Sequence, residues 1–136
     1  MFKEHGNNSK WLDTGIIDWC VQKFKIASLL DVGCGIGGTY DPCAKHNIHW
    51  FGVDKERDCP YPHFYQWDFA NGRCLELERL QFNCIYTNQV LEHIKEEYLD
   101  NILPLLASCQ ILMFSSALPI QKNDGGSTHS NCQPVD

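Results

Sequence analysis

Apolar and polar positions along the chain follow two rhythms. From Trp11 to Phe24 the apolar residues Trp11, Leu12, Ile16, Ile17, Cys20, Val21 and Phe24 recur at helical spacing, and Ser9 or Asp13 suits the cap. Short apolar runs follow: IASLLDV (26–32), HWFGVD (49–54), HFYQW (63–67), FNCIYT (82–87) and CQILMFSS (109–116). Each has strand length, and the first is apolar on both faces, as a central parallel strand should be. The second ends on Asp54 and the third on Asp68.

The intervening segments alternate with these strands. TYDPCAKH (39–46) predicts a short helix that Pro42 interrupts early. ANGRCLELERL (70–80) predicts a turn and one or two helical turns, and Val90 to Ala107 predicts a single helix kinked or broken at Pro104. KERDCPYPH (55–63) carries Pro60 and Pro62 and leaves no room for a helix of ordinary length. Alternating strands and helices imply an α/β fold with a mostly parallel sheet. Residues 1–8 are polar and predict a loose start; residues 117–136 form a turn-rich polar tail. No repeat divides the chain, so residues 1–136 read as a single domain.

Composition narrows the class. The net charge is −6 and the 11 Lys and Arg form no cluster, which argues against a dedicated nucleic-acid module but leaves an RNA-modifying enzyme open. MFKEHGNNSK has no apolar core of a signal peptide, and no run of 18 apolar residues offers a membrane span. Eight cysteines, at 20, 34, 43, 59, 74, 84, 109 and 132, include no CxxC pair. Several lie inside apolar runs, where a thiol packs as a small hydrophobe. They read as reduced thiols of a cytoplasmic protein rather than a disulfide framework.

The chemistry gathers in LLDVGCGIGG (29–38), where an apolar strand reaches Asp31 and four glycines crowd the next seven residues. Glycine is costly there unless the backbone turns sharply or a ligand comes close. A strand, a glycine turn and a helix N-terminus bring backbone N–H groups together on a ligand. Gly33, Gly35 and Gly38 fit the GxGxxG dinucleotide fingerprint, with Asp54 placed for a ribose of NAD and an oxidoreductase activity. Asp31, Gly33, Gly35 and Gly37 instead fit D-x-G-x-G-x-G.

This second pattern resembles motif I of the class I S-adenosylmethionine-dependent methyltransferases. Asp54 in FGVDKE, Asp68 in YQWDF and the segment TNQVLEHI after the fourth strand match further landmarks of that family in order. The resemblance covers roughly residues 26–120. It implies a doubly wound, Rossmann-like five-stranded sheet of order 3-2-1-4-5, with the glycine turn at the switch point. Two departures stand out: the helix between strands two and three is nearly absent, and the family's strands after the fifth are missing. An uncovered fifth strand implies that further chain or a partner, such as a second copy in a homodimer, covers that edge.

The resemblance also assigns roles. The turn at Gly33, Gly35 and Gly37 accommodates the cofactor's amino-acid end, and Asp31 meets its ammonium directly or through water. Asp54 takes the ribose diol, and Lys55 offers its backbone or aliphatic stem to the adenine. Asp68 accepts from the adenine amine, Phe69 offers its backbone N–H, and Asn88 lies where the pocket opens beneath the methyl group. Trp67 reads as core. Glu92 and His93 fall in the first turn of the expected helix, where Glu suits the dipole and His93 satisfies a buried group. His129 in the tail reads as a substrate-orienting residue or base. His129 and Cys132 form only half a metal site, so no metal is expected.

Methyl transfer is an in-line displacement in which the cofactor carries the activated group, and the protein binds, aligns and excludes water. The expected activity is transfer from S-adenosylmethionine to a small-molecule or sugar acceptor, leaving S-adenosylhomocysteine. The rival from another class is a non-catalytic remnant that binds the cofactor or a partner.

Overall fold

Residues of the central strand alternate between two apolar layers, and that alternation organises the molecule. A computed structural model describes residues 15–115. The strands are β1 (Ser28–Val32), β2 (His49–Asp54), β3 (Phe64–Gln66), β4 (Cys84–Asn88) and β5 (Ile111–Ser115), all parallel, in the order β3-β2-β1-β4-β5. Leu30, Val32, Val53 and Ile85 face a layer with Leu77, Ile102, Leu105 and Leu106. Leu29, Trp50, Cys84 and Tyr86 face the opposite layer, with Ile17, Cys20 and Cys43. Helices α1 (residues 15–23) and α2 (Tyr40–Lys45) therefore cover one face, and α3 (Leu75–Leu80) and α4 (Leu99–Ala107) the other. This is the doubly wound arrangement, with neighbouring strands β1 and β4 leading to opposite ends of the sheet.

The crossover from β2 to β3 does without a helix. Residues 55–63 cover the sheet with two side chains. Tyr61 stacks on Tyr40 with ring centroids 3.9 Å apart and meets Trp50 edge-on, and Cys59 packs in the same layer. Arg57 donates to Gln66 at 2.9 Å, and Gln66 donates to the Lys55 carbonyl at 3.1 Å, so the crossover is also stitched to β3.

Several local expectations are corrected. Pro42 does not interrupt α2; it is the third residue, where its missing N–H has no intrahelical partner to lose. The helix expected from Val90 to Ala107 is three pieces: 3-10 turns at Leu91–His93 and Glu96–Tyr98, then α4. Ile94 and Lys95, with ψ of 126° and 143°, are extended and separate them. Val90 is held against the glycine turn and Glu92 is buried, which pins the first turn apart from the helix. Pro104 does not break the helix, since α4 runs on to Ala107. The third strand stops at Gln66, two residues short of Asp68, and Asn88 closes β4 rather than following it. Residues 1–14 and 116–136 lie outside the described residues.

Candidate cofactor site

The site grows from the register of three strands. Val32 pairs with Val53 on β2 and Thr87 on β4. Asp54 and Asn88 are each one residue further, so they flank the start of the glycine turn at the carboxyl edge of the sheet. The turn is fastened to β2: the N–H groups of Gly33 and Cys34 donate to the Val53 carbonyl at 2.8 and 3.2 Å.

The glycines have different neighbours. Gly33, Gly35 and Gly37 all have positive φ, at 76°, 54° and 86°, which an L side chain rarely adopts. A Cβ on Gly33 would lie 2.3 Å from Val90 Cγ2, and one on Gly37 would lie 2.6 Å from the Tyr61 ring. A Cβ on Gly35 would meet nothing within 4 Å. Only Gly35 of the three therefore presents bare backbone to open space. Gly38 is not among the glycines of positive φ. The left-handed set is thus that of D-x-G-x-G-x-G, not of GxGxxG.

Asp54 is half-buried, and its carboxylate crosses to this turn. Its Oδ2 accepts from the Gly35 N–H at 2.9 Å and its Oδ1 from the Glu56 N–H at 2.9 Å. Asp31 is only 5% exposed. Its Oδ2 accepts from the Thr39 hydroxyl at 2.5 Å, and Thr39 Oγ1 accepts from the Trp50 indole N–H at 2.8 Å.

The remaining expected residues spread around this centre. Lys55 is exposed beside Asp54, its carbonyl held by Gln66. Asp68 is exposed and caps the 3-10 turn Phe69–Asn71, accepting from the Ala70 N–H at 2.9 Å. The Phe69 side chain is buried in the core and its carbonyl accepts from Asn101 at 2.8 Å. Trp67 packs against the same core and donates to the Gly72 carbonyl at 3.0 Å. Asn88 Oδ1 accepts from the Ser115 hydroxyl, joining the ends of β4 and β5. Glu92 is fully buried, and His93 Nε2 lies 3.9 Å from its Oε1. His129 and Cys132 lie outside the described residues. No group of three or more metal-ligating side chains occurs among the described residues.

Three participants carry no motif of their own: Val90 and Tyr61, which fill the hollows at Gly33 and Gly37, and Thr39. Thr39 offers one sequence signal, a capping-type residue immediately before a helix. Gln89, with φ of 58°, adds a non-glycine residue in the left-handed region just past Asn88.

Two thiols also meet here. Cys34 of the turn and Cys59 of the crossover are hydrogen-bonded, and burial, the largest influence on each, pushes both thiols up. Burial likewise pushes Cys43 up to about 12. Thiols held this way pack rather than react.

A parallel sheet of this order, with an acid–glycine turn at its switch point and a carboxylate ending the next strand, defines a Rossmann-like methyltransferase fold. The model of a methyltransferase domain family, Methyltransf_23, matches residues 4–125, and the chain belongs to that family. Among solved structures, the chain is similar to a SAM-dependent methyltransferase from Archaeoglobus fulgidus, with TM-score 0.70 and 21% identity over 98% of this chain and 66% of that one. It is also similar to magnesium protoporphyrin IX methyltransferase from Synechocystis PCC 6803 with bound SAH, with TM-score 0.64 and 19% identity over 93% of this chain and 67% of that one. A third likeness is to the plantazolicin methyltransferase BpumL in complex with SAH, with TM-score 0.59, 15% identity, and coverage of 95% and 58%. The chain thus spans about two thirds or less of these structures' lengths. No curated protein sequence matches it.

Proposed function

We propose that this domain binds S-adenosylmethionine across the carboxyl ends of β1 and β2 and transfers its methyl group to an acceptor, releasing S-adenosylhomocysteine. One observation carries the reading: the Asp54 carboxylate reaches the N–H of Gly35, the one left-handed glycine of the turn that opens to space. A cis-diol offers two hydroxyl donors in place of the Gly35 and Glu56 N–H groups. The bare backbone at Gly35 leaves passage for a chain running from the ribose toward Asp31.

The group supplies an activated sulfonium methyl. The protein's own residues then bind, orient and shield. Asp54 holds the ribose, Gly33 and Gly37 fix the turn through Val90 and Tyr61, and Asp31 receives the ammonium. Asp68 and Phe69 border the adenine from the far side of β2, with Lys55 beside them, and Asn88 borders the methyl from β4. His129 orients the acceptor or takes its proton. The acceptor is a small molecule or a sugar; the charge of −6 without a basic cluster supports this over a nucleic-acid chain. Seven free cysteines among the described residues fit a cytoplasmic setting. Leu112 and Phe114 lie exposed on edge strand β5, which supports a second copy covering that edge.

Calorimetric titration tests the reading. S-Adenosylhomocysteine should bind and NAD should not, and Asp54→Ala should weaken binding about tenfold or more through lost bonds to a charged partner. Binding of NAD alone would contradict it. Cofactor binding without turnover across an acceptor panel would leave a binding module.

A further inference from the structure

The helix-capping position before α2 is occupied by Thr39, yet its hydroxyl makes no cap bond. A threonine there ordinarily accepts from an N–H of the first turn. Thr39 is fully buried and spends its hydroxyl on Asp31 and Trp50 instead.

The direction of that chain is fixed by chemistry. An indole N–H only donates, and a hydroxyl has one proton to give. Thr39 Oγ1 accepts from Trp50, so its single proton goes to Asp31, and Asp31 Oδ2 is an acceptor. The series Trp50 to Thr39 to Asp31 thus favours a carboxylate at Asp31, each bond polarising the next.

The indole is itself held in place. Asp31 pairs with Gly52 across β1 and β2, and a Cβ on Gly52 would lie 2.3 Å from Trp50 Cη2. Gly52 therefore clears the space through which Trp50 reaches Thr39. Tyr40 and Tyr61 meet the indole edge-on, at 5.6 and 6.1 Å between centroids, and fix its other side.

We propose that Thr39 and Trp50 are positioning residues that hold Asp31 as an ionised acceptor aimed at the ammonium group of the cofactor's amino-acid end. The inference rests on the S-adenosylmethionine reading and deepens it. A tightened carboxylate at the start of the turn makes recognition depend on the charged amino-acid portion of the ligand as well as on its nucleoside.

Two probes separate these portions. S-Adenosylhomocysteine carries the amino-acid end, and 5′-methylthioadenosine ends in a methyl group at the same sulfur. Binding of both is measured by calorimetry for the whole chain and for Thr39→Val, Thr39→Ser and Trp50→Phe, each checked by thermal melting. Thr39→Val should lose about tenfold for S-adenosylhomocysteine, the loss of one bond to a charged group, and stay within about twofold for 5′-methylthioadenosine. Thr39→Ser should restore the difference, and Trp50→Phe should show a smaller loss of the same selectivity. Equal weakening of both ligands, or none, overturns the inference and leaves the methyltransferase reading standing. Failure of the unaltered chain to bind S-adenosylhomocysteine overturns both. Should Thr39→Val not fold, the same comparison on Trp50→Phe decides.

Discussion

Gly33 and Gly35 share a left-handed backbone that an L side chain would strain, but they differ in what surrounds them. Gly33→Ala drives a methyl group into Val90 at a positive φ, so strain and overpacking add. It should cost about 2–5 kcal/mol, the sum of ordinary left-handed and overpacking penalties. Gly35→Ala meets open space and carries the strain alone, about 1 kcal/mol. Denaturant melts should therefore rank Gly33→Ala well below Gly35→Ala, while cofactor titration shows a clear loss for Gly35→Ala despite its milder melt. The left-handed turn of Gly33, Gly35 and Gly37 was legible because a costly residue type recurs next to a strand end. Val90 and Tyr61 were not, because the neighbour that forces each glycine comes from a distant segment and carries no local mark. The 3-10 turn that Asp68 caps was not legible, because its one side-chain bond, from the Ala70 N–H, leaves no periodic pattern.

At the scale of elements, the strands followed from their apolar runs and the segment after β4 did not. Apolar residues at 90, 91, 94, 98, 102, 105 and 106 keep helical spacing throughout. A 3-10 turn and an α-helix repeat at 3.0 and 3.6 residues, so short pieces of the two share one pattern. What divides them is packing of Val90 and Glu92, which no periodicity records. Pro104 sits six residues into α4, where it removes a bond to the carbonyl of Asp100. Pro104→Ala should restore that bond and raise stability by about 1 kcal/mol in urea melts. An unchanged or lowered midpoint would show that the proline ring supplies packing worth as much as the bond.

Across the whole molecule, the crossover from β2 to β3 shows how little chain a parallel connection needs when two side chains replace a helix. The layer that Cys59 and Tyr61 complete also holds α1 against α2. There, Asp18 and His46 meet at 2.5 Å, and the hydrogen bond from His46, outweighing the opposing effect of burial, holds the Asp18 carboxyl below its usual range. A carboxylate with a lowered folded pKa stabilises above its unfolded value of about 3.9, and that contribution is lost as pH falls through the folded value. Asp18→Asn should therefore melt below the unaltered chain at pH 7, and the gap should close as pH drops under about 4. The parallel sheet was readable from the alternation of elements, and its strand order from the family resemblance. How the sheet's faces are filled was not, since that depends on pairs such as Tyr40 with Tyr61 that meet only in the fold.

The measurement that bears most directly on this reading is a crystal structure of the chain with S-adenosylhomocysteine. Both ribose hydroxyls should lie within hydrogen-bond distance of the Asp54 carboxylate. The amino-acid end should run past Gly35, with its ammonium on the Asp31 side of the turn. A ligand bound elsewhere, with Asp54 still closed on the Gly35 N–H, would contradict it.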